Sequence, residues 1–128
     1  MDKQTLNVLS GEILDASISV HREMGPGLLE SVYQQCLFKE LTLRKIAIEG
    51  MVPIPLRYKG ELLNKEYIID LLVEGEIIIE LKAVEVVLPV HEAQIIGYLK
   101  LANKWLGFLI NFNVSLLKNG FKRFVNNF

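Results

Sequence analysis

The sequence predicts an α/β fold, a mixed β-sheet flanked by helices, from three observations. Two segments with helical apolar spacing precede any strand-like segment. Two short apolar runs then meet at Glu74-Gly75 as a hairpin, and a strand-helix-strand pattern runs from there through Pro89 to Phe112. A crossover of that length joins parallel strands, whereas a hairpin is antiparallel, so the sheet must be mixed.

Leu6, Leu9, Ile13, Ala16 and Val20 recur at helical spacing and predict an amphipathic helix from Thr5 to Glu23, ended by Gly25-Pro26-Gly27. A second helix is expected from Leu28 to about Leu43, with Leu29, Val32 or Tyr33, Cys36, Leu37 and Leu41 on its apolar stripe. From Ile46 the pattern alternates. Ile48, Val52, Ile54 and Leu56 are interleaved with Pro53 and Pro55, which reads as an edge strand because proline cannot donate to a central ladder. Lys59-Gly60 reads as a turn. Tyr67 to Val73 and Glu76 to Leu81 are apolar on both faces, as central strands are. His91 to Ala102 has helical spacing, Trp105 to Phe112 reads as a buried strand, and Phe121 to Val125 as a short last one.

At 128 residues, 51% of them hydrophobic, the chain can close one core, and residues 1–128 are expected to form a single domain. Fourteen Lys and Arg against 15 Asp and Glu leave a net charge of -1, so bulk positive charge offers no argument for nucleic-acid binding and any basic patch must be local. Cys36 is the only cysteine and reads as a buried structural thiol. No secretory signal is evident, and the longest uncharged stretch, Trp105 to Leu117, is shorter than the ~20 residues of a spanning helix, so no membrane partner and a cytoplasmic location are expected.

The chemistry is expected at the hairpin. Asp70 interrupts one apolar strand, and Glu80 and Lys82 interrupt its partner on one shared face. With a three-residue loop centred on Gly75, Asp70 lies opposite Glu80. Two partly buried carboxylates repel unless a cation sits between them. Oxygen ligands suit magnesium or manganese, and the chain lacks the cysteine pairs or close histidines that zinc takes. Lys82 is placed to orient or deprotonate an attacking water and to balance phosphate charge. The competing reading is a structural ion pair between Lys82 and one carboxylate.

Ile68-Ile69-Asp70 followed by Glu80-Leu81-Lys82 resembles the PD-(D/E)XK nuclease superfamily, with Ile69 in place of the proline. Gly27, Glu30 and Tyr33 match the motif of the GxxExxY protein family, whose segments the chain resembles in order over nearly its whole length. The resemblance implies a restriction-endonuclease-like α-β-β-β-α-β core. It also implies Asp70 and Glu80 as metal ligands, the Leu81 carbonyl as a further one, Lys82 as the catalytic lysine and Glu30 as an accessory acid of the metal site. Gln94 and Tyr98 match a Q-X-X-X-Y motif. They are assigned catalytic and substrate-contacting roles, and Tyr33 is assigned to substrate contact with them.

His91, Gln94 and Tyr98 are expected on one polar helix face, away from Ile95 and Leu99. Gln94 there could orient the reacting groups and Tyr98 contact a phosphate or a base, although a helical Tyr is also a common half-buried core residue. Glu30 in a first helical turn is equally explained by the helix dipole. His21 fits a contact with free carbonyls at a helix end, and Lys118, Lys122 and Arg123 fit a solvated basic face. The leading expectation is a metal-dependent nuclease acting on nucleic acid, with DNA as the expected substrate. Its rivals are a noncatalytic nucleic-acid- or protein-binding module that keeps the fold, and a subunit that works only as a homo-oligomer or with a protein partner.

Overall fold

The computed structural model describes residues 1–128. Asp2 accepts the Thr5 N–H at 2.7 Å and so caps helix α1 (Lys3–Met24), whose Leu6, Leu9, Ile13, Ala16 and Val20 are buried as their spacing predicts. Helix α2 (Glu30–Leu43) begins two residues later than Leu28, because Gly27 takes a left-handed turn with φ 94° and Leu28 and Leu29 stay exposed. Its inward stripe is Tyr33, Leu37 and Leu41. Cys36 is half-buried at the margin of that core, not enclosed by it.

Five strands form one sheet in the order β1 (Ile48–Tyr58), β2 (Glu61–Val73), β3 (Ile77–Lys82), β4 (Leu106–Asn111) and β5 (Phe121–Val125). Neighbours are antiparallel except β3 and β4, which run parallel and are joined through helix α3 (Pro89–Ala102). The mixed sheet and the edge position of the proline-bearing β1 agree with the sequence pattern. Lys59 and Gly60 both have positive φ, 50° and 79°, as the tight turn between β1 and β2 requires.

Strand β2 is longer than the apolar run Tyr67 to Val73. Its N-terminal half forms with β1 an arm beyond the sheet, exposed on both faces, so no buried face imprinted a periodicity on residues 61–66. For the same reason Tyr67 and Ile68 are exposed although the pattern placed them in a central strand.

Each face of the sheet carries its own core. Helices α1 and α2 cover Leu71, Val73, Ile77, Ile79, Leu81, Phe108 and Ile110, and α3 covers Ile69, Leu72, Ile78, Leu109 and Phe124. Gly107 lets α3 lie close, since a β-carbon there would stand 3.1 Å from Ile95 Cδ1 and 3.2 Å from the Ile78 carbonyl oxygen. Gly120, which precedes β5, is more constrained: a β-carbon would overlap the Asn111 carbonyl. Gly120→Ala is therefore expected to cost about 1–3 kcal/mol, read as a fall in the urea midpoint at unchanged slope.

Candidate active site

The regular alternation of β2 breaks at Asp70. Ile69 and Leu72 both pack on the α3 side while Leu71 packs on the other, and in an unbroken strand Ile69 and Leu71 would share a face. Opposite Asp70, between the pairs Gly50↔Leu71 and Val52↔Ile69, Met51 of β1 adopts a left-handed conformation with φ 53°. On the other side the pairing with β3 ends at Leu71↔Ile79. Asp70 thus stands where the ladder to β1 is interrupted by one residue and the ladder to β3 ends, and the backbone groups freed there need other partners.

The two carboxylates supply them. Asp70 donates its N–H to Glu80 Oε1 at 3.2 Å, and Leu81 donates its N–H to Asp70 Oδ2 at 2.8 Å. Because a residue in a strand turns its N–H and C=O toward the same neighbour, the Leu81 carbonyl lies on the same edge of β3 as the amide that reaches Asp70. From α2, Gln34 donates through Nε2 to the Asp70 carbonyl at 3.1 Å and ties the break to the helix layer.

Both acids titrate above the ordinary carboxyl range. Burial pushes Glu80 up to about 8, and the Asp70 charge pushes in the same direction. Burial also raises Asp70; the Leu81 amide opposes that rise and the charge of Glu30 adds to it. The two carboxyl groups are close enough to titrate together, and burial together with their mutual repulsion favours holding one of them uncharged in the absence of a cation. Lys82 makes no ion pair with either acid; the four ion pairs of the chain are Arg44 with Glu12, Asp15 and Glu40, and Lys122 with Glu92. The structural ion-pair reading of Lys82 is therefore not what the side chains adopt, although its positive charge lowers both carboxyls.

The donor set fits a hard divalent cation. Two carboxylates and one carbonyl make an all-oxygen set, as magnesium and manganese prefer. Glu30 does not complete a compact cluster, and no three His, Cys, Asp or Glu side chains converge anywhere in the chain. Glu30 is the first residue of α2, exposed to solvent, and it bears on Asp70 through its charge. Glu30 thus stands near Asp70 as an exposed acid outside any compact three-residue cluster.

Tyr98 is buried beside Ile95 and Leu99, contrary to the polar face expected of it, because α3 turns this flank onto the sheet. Burial raises its pKa, as do the charges of Glu80 and Asp70, which places a protonated phenol near both. Gln94, one turn earlier, is exposed. His91 instead closes the start of α3, its Nδ1 accepting the Leu88 N–H at 3.0 Å.

Tyr33 is corrected outright as a substrate contact. It is fully buried, its ring stacks on Phe112 with centroids 4.5 Å apart, and its hydroxyl donates to the Gly25 carbonyl at 2.6 Å and accepts from the Leu28 N–H at 3.1 Å. It holds the Gly-Pro-Gly turn that delivers Glu30. Tyr33→Phe is expected to cost about 1–2 kcal/mol in a denaturant titration while leaving metal affinity within about twofold of the parent.

Other expectations resolve simply. His21 bonds a carbonyl, that of Val114 at 2.7 Å, in the loop after β4 and not at the end of its own helix. Lys122 pairs with Glu92 at 2.8 Å, and Arg123 bonds Asn7 and lies over the Phe128 ring, so two of the three basic residues near the C-terminus are engaged locally.

Sequence reasoning missed two positioning residues. Gln34 lies one helical turn beyond Glu30, the spacing that could have marked it. Asn111 is a polar interruption of an apolar strand, the same signal that marked Asp70. It is buried, donates to the Val84 carbonyl at 2.9 Å and accepts the Val84 and Asn113 amides at 3.1 and 3.2 Å, pinning the segment that leaves Lys82.

A family model described as the PD-(D/E)XK nuclease superfamily matches residues 7–124. No curated protein and no solved structure matches the chain.

Proposed function

We propose, from the premise that this chain belongs to the PD-(D/E)XK nuclease superfamily, that it is a single-domain, magnesium- or manganese-dependent phosphodiesterase acting on nucleic acid, with DNA as its substrate. The match of Gly27, Glu30 and Tyr33 to the GxxExxY motif supports assigning it, within that superfamily, to the GxxExxY group. The observation that carries the reading is the Asp70–Glu80 pair: two carboxyls held against each other at a break in the sheet, with Lys82 beside them and paired to neither.

Asp70, Glu80 and the Leu81 carbonyl hold the cation, and Glu30 adds negative charge at its margin. A cation held there would supply Lewis-acid stabilisation of charge developing on the phosphate and would lower the pKa of a water. Lys82 orients the attacking water and neutralises a phosphate oxygen. Tyr98, which keeps its proton, donates a hydrogen bond to the substrate phosphate. Gln94 meets the strand at the mouth of the site, where it is free to donate or accept.

A cleavage assay on single- and double-stranded DNA and RNA tests this. The expected result is strand scission with magnesium or manganese that chelator stops, and a loss of roughly a hundredfold or more in Lys82→Ala, with manganese binding by calorimetry retained. Failure of the parent chain to cut any of these substrates with either metal, or cutting that chelator does not affect, would overturn the proposal.

A further inference from the structure

Tyr67 lies three residues before Asp70 on β2, at the root of the arm, where it pairs with Ile54 of β1. Its ring meets that of Tyr98 at a centroid distance of 5.1 Å and an angle of 47°. Tyr98 keeps only 7% of its surface exposed, whereas Tyr67 stays 45% exposed. Single exposed aromatic residues are ordinary. This one is fixed from beneath by a buried ring and from the side by Ile54, so its free surface is held in place. The distance along the strand from Tyr67 to Asp70 is about 10 Å, comparable with the span from a nucleobase to the phosphate beyond its sugar.

Backbone contacts alone do not distinguish paired from unpaired strands, but a base can stack on a protein ring only when its own face is uncovered. A half-exposed aromatic ring braced against a second ring, about one nucleotide's reach from the carboxylate pair, offers such a surface, and the bracing lowers the conformational entropy that stacking costs.

We propose that Tyr67 is a stacking platform for the nucleobase adjoining the scissile phosphate, and that it makes single-stranded nucleic acid the favoured substrate. This rests on the phosphodiesterase reading above. Tyr67 acts on substrate binding, with Tyr98 as its support.

The test compares the parent chain with Tyr67→Leu, which keeps an apolar cover over Tyr98 but has no aromatic face, and with Tyr67→Trp, which keeps the face. In chelator, where the strand is not cut, fluorescence anisotropy measures affinity for a short thymidine oligonucleotide and for an abasic strand of equal length. The parent is expected to prefer the thymidine strand by about tenfold, Tyr67→Leu to lose that preference, and Tyr67→Trp to keep it. With magnesium, KM for the single strand should rise about tenfold in Tyr67→Leu while kcat changes less than about threefold. Equal affinity of the parent for both strands, or a preference that survives in Tyr67→Leu, overturns the stacking role and leaves the phosphodiesterase reading intact. Absence of both nucleic-acid binding and cleavage in the parent chain overturns the two together.

Discussion

Glu80→Gln is expected to remove magnesium and manganese binding and to lower cleavage by on the order of a thousandfold or more, the scale on which loss of a stabiliser of transition-state charge is felt. The substitution is nearly isosteric, and its remaining oxygen can still accept the Asp70 N–H that Glu80 Oε1 accepts at 3.2 Å. The fold should therefore survive. What disappears is one of two anionic donors in a set that has no third carboxylate in contact to replace it. Calorimetry with manganese and a cleavage time course on the same preparation check both halves. Metal binding unchanged by the substitution would remove Glu80 from the ligand set.

The residues at the centre of this site were legible in the sequence for a definite physical reason. Asp70, Glu80 and Lys82 are charges inside apolar strands, and a buried charge is costly enough to require a partner or a purpose. The opposition of Asp70 and Glu80 also followed from the three-residue loop Glu74 to Glu76, which the pairs Leu71↔Ile79, Leu72↔Ile78 and Val73↔Ile77 bear out. The same alternation rule failed at Asp70 itself. A break in which Met51 turns left-handed depends on both neighbouring strands, and no local periodicity announces it.

Helical residues were harder to place, because a motif gives the identity of a residue and not the direction of its side chain. Tyr33 and Tyr98 were both expected at the substrate. The turn before α2 drew the Tyr33 ring onto Phe112, and the packing of α3 on the sheet buried Tyr98 beside Ile95 and Leu99. Gln34 was passed over because a polar residue on a helix usually faces water, and only the position of α2 over the sheet brings it to the Asp70 carbonyl. Tyr67 was read as part of a central strand. Its exposure depends on the length of β2 relative to the six-residue β3, which is set by the polar and unpatterned half of the arm.

The second large effect is on stability, and its sign follows from the carboxyl pair. Glu80 ordinarily titrates at 4.5 and in the folded chain is pushed up to about 8 by burial and by Asp70. Between those pH values the folded chain keeps a proton that the unfolded chain has released, so folding takes up protons there and stability falls as pH rises. In chelator the parent should lose on the order of 3 to 5 kcal/mol between pH 4.5 and 8 through this group. Other carboxylates with ordinary values contribute mainly at the acid end, so the difference between parent and variant isolates the pair. Glu80→Gln should flatten the profile and be the more stable protein at pH 8. Asp70→Asn should flatten it in part, since removing one charge relieves the other, and should be at least as stable as the parent at pH 8 without metal. Magnesium balances the carboxyl charge that protonation of Glu80 otherwise removes, so it should raise the parent's melting temperature most at pH 8 and leave both variants unmoved. Urea titrations of the three proteins at pH 5 and pH 8, with chelator and then with magnesium, decide the matter. A parent whose stability rises over that interval, or an Asp70→Asn variant weakened by roughly 3 to 5 kcal/mol with no magnesium effect on the parent, would mean that Asp70 is balanced by a cationic side chain and that the pair does not hold a cation.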